Sequence, residues 1–157
     1  MLKNGPESRI VTTASNAHRG ARIPFDDLQA TRRYSAMGAY GVSKLANILF
    51  TRALAKRLQG APVTATCLHP GFVRSSFGSN NQVSPLFKFG FRLAMSFART
   101  PEKGAETVIY LASSPEVRGA SGGYYFDCKP TTPSPAAQDD GAAEQLWRVS
   151  EQLVGIR

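Results

Sequence analysis

A chain of 157 residues that is 42% hydrophobic and 19% charged has the composition of an ordinary globular protein and the length of one domain. Its apolar runs fall short of the roughly 20 residues that cross a membrane, and its two cysteines lack metal-ligand spacing, which favours reduced thiols in a cytoplasmic protein. The net charge of +8 is spread over several segments, so we predict a solvated basic surface and no nucleic-acid partner.

The first half of the sequence predicts two strands with a helix between them. Residues 8–15 form a β-branched run that ends in small polar residues, which is typical of a buried strand. Residues 16–38 contain Gly, Pro and Asp without a steady period and predict a long loop, a feature that is often functional. Apolar residues recur at helical spacing over 39–58, and Val63–Leu68 then predicts a second strand that the turn at 69–71 terminates.

The second half predicts a helix, a short strand and a last helix. A Thr-Pro-Glu sequence fits the start of a helix over about 101–113, with Thr as the N-cap and Pro in the first turn. Residues 122–126 predict a third strand, and a Pro/Thr/Ser linker at 129–137 leads to a last helix at about 140–154.

Between these halves lies a segment, 72–97, that is rich in phenylalanine. It predicts a loop followed by a short amphipathic helix near 86–98. Its aromatic side chains either pack in the core or form an apolar lid over a substrate, and the sequence favours neither alternative.

The alternation of strands and helices predicts the fold class. Strands joined through helices run parallel and are connected by right-handed crossovers. We therefore expect an α/β fold, a partial doubly wound (Rossmann-type) parallel sheet with flanking helices. Residues 1–157 would form a single domain, in which 129–157 are the linker and C-terminal helix.

Candidate chemistry lies on the first predicted helix. Tyr40 and Lys44 are one turn apart and therefore share a face, and a nearby cation favours the ionised form of a phenol. Such a pair could transfer a proton to or from an alcohol or carbonyl oxygen, although the spacing alone is common in helices. Ser15 and the 69–75 segment follow the two predicted strands, and ligands of open α/β sheets bind at the carboxyl ends of strands.

Three motifs occur here in the order seen in short-chain dehydrogenases/reductases: RIVTTAS at 9–15, YGVSK at 40–44 and HPGFVRS at 69–75. More narrowly, SKLANILF at 43–50 and YFDC at 125–128 resemble the retinol-dehydrogenase-like subgroup. The resemblance covers essentially the whole chain. It implies an oxidoreductase that interconverts an apolar alcohol and its aldehyde or ketone with NADP or NAD, of which the subgroup favours NADP. A homo-oligomer is compatible with it.

The resemblance also implies roles for individual residues. Tyr40 would be the general acid/base, Lys44 would bind the nicotinamide ribose and stabilise ionised Tyr40, and Ser15 would hydrogen-bond the reacting oxygen. The implied catalytic residues are thus Ser15, Tyr40 and Lys44, and the implied cofactor-binding residues are Tyr40, Lys44, Pro70, Gly71, Val73 and Ser75.

One part of the family pattern is missing from the sequence. Family members have a glycine-rich phosphate-binding turn between a strand and a helix, whereas the glycine cluster at 119–123 precedes a strand. We therefore expect a C-terminal catalytic half that lacks the N-terminal βαβ units. The alternative is a catalytically silent fragment that acts, if at all, as an association partner.

The two histidines and one cysteine predict structural roles. His69, at the end of the second strand, is expected to be a hydrogen-bonded structural residue, and His18 is expected at the surface. Cys67 is expected in the core of its strand, because a buried free cysteine behaves as a small hydrophobic residue.

Overall fold

A parallel sheet between helices organises the chain, whose computed structural model describes residues 7–74 and 98–156. The elements in chain order are β1 (Ser8–Thr13), α1 (Ala36–Arg57), β2 (Val63–Leu68), α2 (Pro101–Ser113), β3 (Tyr124–Phe126), β4 (Lys129–Pro130) and α3 (Asp140–Leu153), with 3₁₀ turns at Asn16–His18, Pro115–Val117 and Pro135–Gln138. The strand order is β1-β2-β3-β4, and β1, β2 and β3 pair in parallel. The predicted α/β fold with flanking helices is confirmed.

The strands alternate their side chains between two faces of the sheet, as a pleated strand must. Cys67 and Tyr124 join a core beneath α1 and α3, whereas the next residues, Leu68 and Tyr125, join a separate cluster beneath α2. Helices therefore cover both faces, which is the doubly wound arrangement expected for parallel strands.

The third strand begins at Tyr124 instead of residue 122, and two other predicted boundaries differ from the structure for local reasons. α1 begins at Ala36 instead of residue 39, because the Ser35 hydroxyl caps the helix by accepting a hydrogen bond from the Gly38 amide at 3.4 Å. β1 ends at Thr13 instead of residue 15, because Ser15 caps the following 3₁₀ turn.

The predicted linker at 129–137 was wrong in part. Asp127 and Cys128 both adopt left-handed backbone conformations, with φ values of 49° and 58°. They form a two-residue turn that returns the chain along β3, so β4 pairs antiparallel with it through Phe126 and Lys129. A 3₁₀ turn at Pro135–Gln138 then leads into α3.

α3 packs against α1 through contacts between charged and aromatic side chains. Arg57 donates to the Glu144 carboxylate at 2.8 and 2.9 Å, and its guanidinium lies 4.3 Å from the centre of the Trp147 ring. Phe50 stacks on the same indole with ring centres 5.2 Å apart. Among the helices of the described residues, none has the length and apolar character to cross a lipid bilayer.

Candidate active site

Ser15 lies just beyond the carboxyl end of β1, in an extended conformation with φ of −154° and ψ of 155°. Its hydroxyl oxygen accepts a hydrogen bond from the Ala17 amide at 3.2 Å and so caps the turn Asn16–His18. The bond uses a lone pair of the oxygen and leaves the O–H hydrogen able to donate elsewhere. The backbone thus orients this hydroxyl as a donor.

Helix α1 approaches this turn closely at Gly41. A Cβ atom at that position would lie 2.9 Å from the Ala17 carbonyl oxygen, so a larger residue would push the helix away. Further along the same helix, the Asn47 side-chain amide donates to the Thr13 carbonyl at 3.1 Å. These contacts place Tyr40, the neighbour of Gly41, beside the Ser15 turn.

Tyr40 and Lys44 occupy consecutive turns of α1 and are both partly buried. The Lys44 ammonium lies 5.5 Å from the centre of the Tyr40 ring. The structure therefore brings the two predicted residues together, on the helix that packs against the turn carrying Ser15.

The turn after β2 brings Pro70 and Gly71 to the neighbouring position along the same edge. Gly71 has a φ of +81°, and a Cβ atom there would lie 3.0 Å from Arg99 and 3.3 Å from Phe126. Glycine is needed at this position both for the backbone conformation and for the space. The Val73 side chain instead packs against Gly104 of α2, where an added Cβ would lie 2.6 Å from it.

His69 is a structural residue of this turn, as predicted. Its Nδ1 accepts a hydrogen bond from the Gly71 amide at 3.3 Å, and its ring stacks on Phe126 with centres 4.2 Å apart and planes within 6°. Burial lowers the pKa of His69 below its ordinary value, with the positive charge of Arg99 among the smaller causes. The neutral ring fits its role as an acceptor.

Arg99 was not singled out from the sequence, because nothing local separates it from the other basic residues. Its guanidinium lies 4.6 Å from the centre of the Phe126 ring and forms an ion pair with Asp127. The hydrogen bonds from Arg99 lower the pKa of the Asp127 carboxyl. The Arg99 amide donates to Phe72 at 2.8 Å and its carbonyl accepts from Arg74 at 2.9 Å.

Some predicted features lie outside the described residues. They are Ser75, all of the phenylalanine-rich segment after residue 74, and all but the last residue of the helix near 86–98. Within the described residues, the loop predicted over 16–38 is confirmed up to the start of α1, apart from its 3₁₀ turn.

The prediction for His18 was wrong, because this residue is fully buried at 0% exposure. Its Nδ1 lies 2.7 Å from the Ser15 carbonyl oxygen, and its Nε2 accepts a hydrogen bond from the Ser134 amide at 3.0 Å. Burial lowers the pKa of His18. No local signal could have revealed these contacts, because Ser134 is 116 positions away in the sequence.

A cleft of about 990 Å³ opens between the loop after His18 and the first half of α1. Small side chains on the helix, among them Gly38, Gly41 and Ala46, form its floor, and Arg32 and Arg33 lie at its loop side. Its lining includes the residues on either side of Tyr40 in the chain. The cleft therefore adjoins the part of α1 that carries Tyr40.

Known proteins resemble this chain in sequence. Human Retinol dehydrogenase 14 is 47% identical over 99% of this chain and 47% of its own length, and human Retinol dehydrogenase 12 is 46% identical over 99% of this chain and 48% of its own. The chain thus spans about half the length of the relatives that it matches. No protein-family model matches the chain.

Solved structures agree with this relationship. An uncharacterized protein from Mycobacterium paratuberculosis superposes with a TM-score of 0.62 at 31% identity, over 94% of this chain and 50% of that one. A short chain dehydrogenase from Salmonella enterica serovar Typhi superposes with a TM-score of 0.56, over 82% of this chain and 44% of the other; at 20% identity it supports the fold alone.

Over about half of their length, the chain is therefore a homologue of the retinol dehydrogenases, which are short-chain dehydrogenases/reductases. The resemblance seen in its motifs is confirmed. Members of the family generally use NAD or NADP.

Proposed function

We propose that this chain carries the proton-transfer machinery of an oxidoreductase that interconverts an apolar alcohol and its aldehyde or ketone. The observation that supports it most strongly is the Lys44 ammonium 5.5 Å from the Tyr40 ring, on a helix that Gly41 seats against the Ser15 turn. A hydroxyl donor, a phenol and a cation at one edge of a parallel sheet form a set that suits a carbonyl/alcohol couple.

Each of the three side chains has a distinct role in the proposal. The Ser15 O–H, held by the Ala17 amide, donates to the substrate oxygen and fixes its position. The Tyr40 oxygen gives a proton to that oxygen during reduction and accepts the alcohol proton during oxidation. The Lys44 ammonium stabilises the negative charge that develops on the Tyr40 oxygen when the proton leaves it.

The residues at this edge fit the nicotinamide end of a dinucleotide. The Lys44 ammonium presents only hydrogen-bond donors, which match the hydroxyl oxygens of a ribose, and the Pro70-Gly71 turn offers backbone with little side-chain bulk. When bound, the cofactor supplies or accepts the hydride. The described residues contain no glycine-rich turn from a strand into a helix: the cluster at 119–123 forms the turn before β3, where the Gly122 amide donates to Ala65 at 2.7 Å.

Cofactor and substrate preferences in this proposal follow the relatives. Because the similar proteins are named retinol dehydrogenases, long apolar alcohols and aldehydes of the retinoid kind are the first substrates to test. NADP(H) is the first cofactor to test, with NAD(H) as the alternative.

The test is a tyrosine substitution with a matched control. Tyr40→Phe in the purified protein should lower kcat for retinal reduction by about 1,000-fold, because phenylalanine cannot supply the proton. Tyr34→Phe is the control, since Tyr34 is 74% exposed on the loop before the same helix and should leave turnover unchanged. Nicotinamide absorbance measures both rates. A Tyr40→Phe protein that keeps most of its kcat contradicts the proposal.

A further inference from the structure

His18 is a buried polar side chain that the proposed chemistry does not use directly. It follows Ser15 by three residues, is 0% exposed, and meets the Tyr124 ring edge-on with ring centres 5.4 Å apart. A polar ring so completely removed from water must be hydrogen-bonded to be tolerated. Both of its nitrogens are.

The two partners fix the protonation state of the imidazole. The Ser134 amide can only donate, so Nε2 must be an unprotonated acceptor at 3.0 Å. The Ser15 carbonyl can only accept, so Nδ1 must carry the proton and donate across 2.7 Å. His18 is therefore a neutral bridge with a defined direction, from one backbone amide to one backbone carbonyl.

The hydrogen bonds of His18 hold the backbone at Ser15, which lies beyond the strand pairing of the sheet. Pairing of β1 ends at Thr13, and the Ala14 amide makes a last bond to the Leu68 carbonyl at 2.7 Å. Ser15 lies beyond that point, as the cap of a single 3₁₀ turn. The Ser15 carbonyl accepts from the His18 amide at 3.1 Å as well as from its ring.

We infer that His18 is a positioning residue for the Ser15 hydroxyl, acting through the hydrogen bond from its Nδ1 to the Ser15 carbonyl, while the Ser134 amide holds the ring in place. The inference rests on the proposed function of Ser15. Fixing the carbonyl of Ser15 fixes its extended conformation, and with it the direction in which the hydroxyl donates. A displacement of about 1 Å at a reacting group can lower a rate about 100-fold, so a fixed turn matters to catalysis.

A double-mutant cycle on the purified protein tests whether His18 acts through Ser15. His18→Phe keeps the ring's packing but loses both hydrogen bonds, and it should lower kcat about 100-fold with little change in KM for the cofactor. Combined with Ser15→Ala, it should add no further loss, because the group that it positions is already gone. Multiplicative losses in the double variant overturn the inference.

Two further variants separate positioning from a loss of stability. His18→Asn retains an N–H near the position of Nδ1 and should recover most of the lost kcat. Thr51→Val removes another buried side-chain hydrogen bond, from Thr51 to the Asn47 carbonyl, away from the Ser15 turn. It should lower the melting temperature without lowering kcat. A His18→Asn protein as slow as His18→Phe contradicts the inference.

A structural readout distinguishes failure of this inference from failure of the proposed function. If Ser15→Ala leaves kcat unchanged, the role proposed for Ser15 is wrong, whatever His18 does. Nitrogen NMR of the wild-type protein should still show the Nδ1–H tautomer of His18. The Ala17 amide donates to the Ser15 hydroxyl, and its hydrogen exchange should be faster in His18→Asn and faster still in His18→Phe. An Nε2–H tautomer, or unchanged exchange at Ala17, overturns the positioning role.

Discussion

Among the described residues, the two faces of the sheet differ in how they are packed. On one face, α1 and α3 enclose an extended core of fully buried side chains that includes Leu45, Ile48 and Leu49 of α1. On the other face, α2 covers a smaller cluster around Leu68 and Leu111, bordered by partly exposed residues. The helix that carries Tyr40 and Lys44 belongs to the better-packed face. A proton-transfer pair gains from such a platform, because rigid elements hold reacting groups in place more accurately than loops do.

Two matched leucine substitutions test this difference and should have the largest effect on stability. Leu49→Ala should lower the free energy of unfolding by about 4 kcal/mol, because Leu49 is 0% exposed in the centre of its core. Leu111→Ala should cost about 2 kcal/mol, because the side chains around the smaller cluster can relax into the space. Urea denaturation measures both. The comparison of the faces fails if Leu111→Ala costs as much as Leu49→Ala.

Acid should destabilise the α1 side of the molecule through buried His18 and partly buried His69. Burial is the main cause that lowers the pKa of each histidine. At His18 the hydrogen bond to Ser15 opposes this and the charge of Arg19 adds to it. At His69 the charges of His18, Arg19 and Arg99 add to it and Asp127 opposes it. The histidines of the unfolded chain therefore bind protons more tightly than those of the folded chain. The free energy of unfolding is greatest above pH 6.5 and falls as the pH drops below it.

The melting temperature should therefore fall between about pH 7.5 and about pH 5.5. The melting temperature should change less with pH in His69→Phe and in His18→Phe, whatever their absolute melting temperatures. Each variant removes one of the titrating groups. A wild-type melting temperature that rises as the solution is acidified through this range contradicts the sign of the effect.

The smallest expected effect concerns the charged contacts of the two faces. Arg57→Met removes a contact between α1 and α3 whose stacking on Trp147 contributes about 0.5 to 1 kcal/mol. Lys103→Met is the control, because the ion pair of Lys103 with Glu106, at 2.6 Å, lies within α2. Thermal unfolding should show a lower midpoint for Arg57→Met alone. Equal midpoints in the two variants would mean that the link between the helices adds no stability.

The regular elements could be predicted because their signals are local. β2 was predicted at its observed bounds, since its β-branched residues lie between a glycine and a Pro-Gly turn. α2 was predicted from its Thr-Pro-Glu start, and the Thr100 hydroxyl indeed accepts from the Lys103 amide at 3.3 Å. The Tyr40–Lys44 pair follows from helical periodicity once α1 is recognised.

The remaining features depend on contacts between distant residues or on strained backbone. Buried His18 contacts Tyr124 and the Ser134 amide, which are distant in the sequence and are brought to it by the fold. The β3–β4 hairpin requires Cys128 at a φ of 58°, a conformation that cysteine rarely adopts and that no residue preference would suggest. Asp127 tolerates the same conformation more readily, but one such residue does not predict a hairpin.

The bridge between Val73 and Arg99 has a consequence for how this protein family can vary. The backbone just after β2 is hydrogen-bonded to the backbone just before α2: the Arg99 amide donates to Phe72, and the Arg74 amide donates to Arg99. Because these bonds join backbone groups, the side chains at residues 72–74 and 99 can be replaced during evolution without removing the link between β2 and the start of α2.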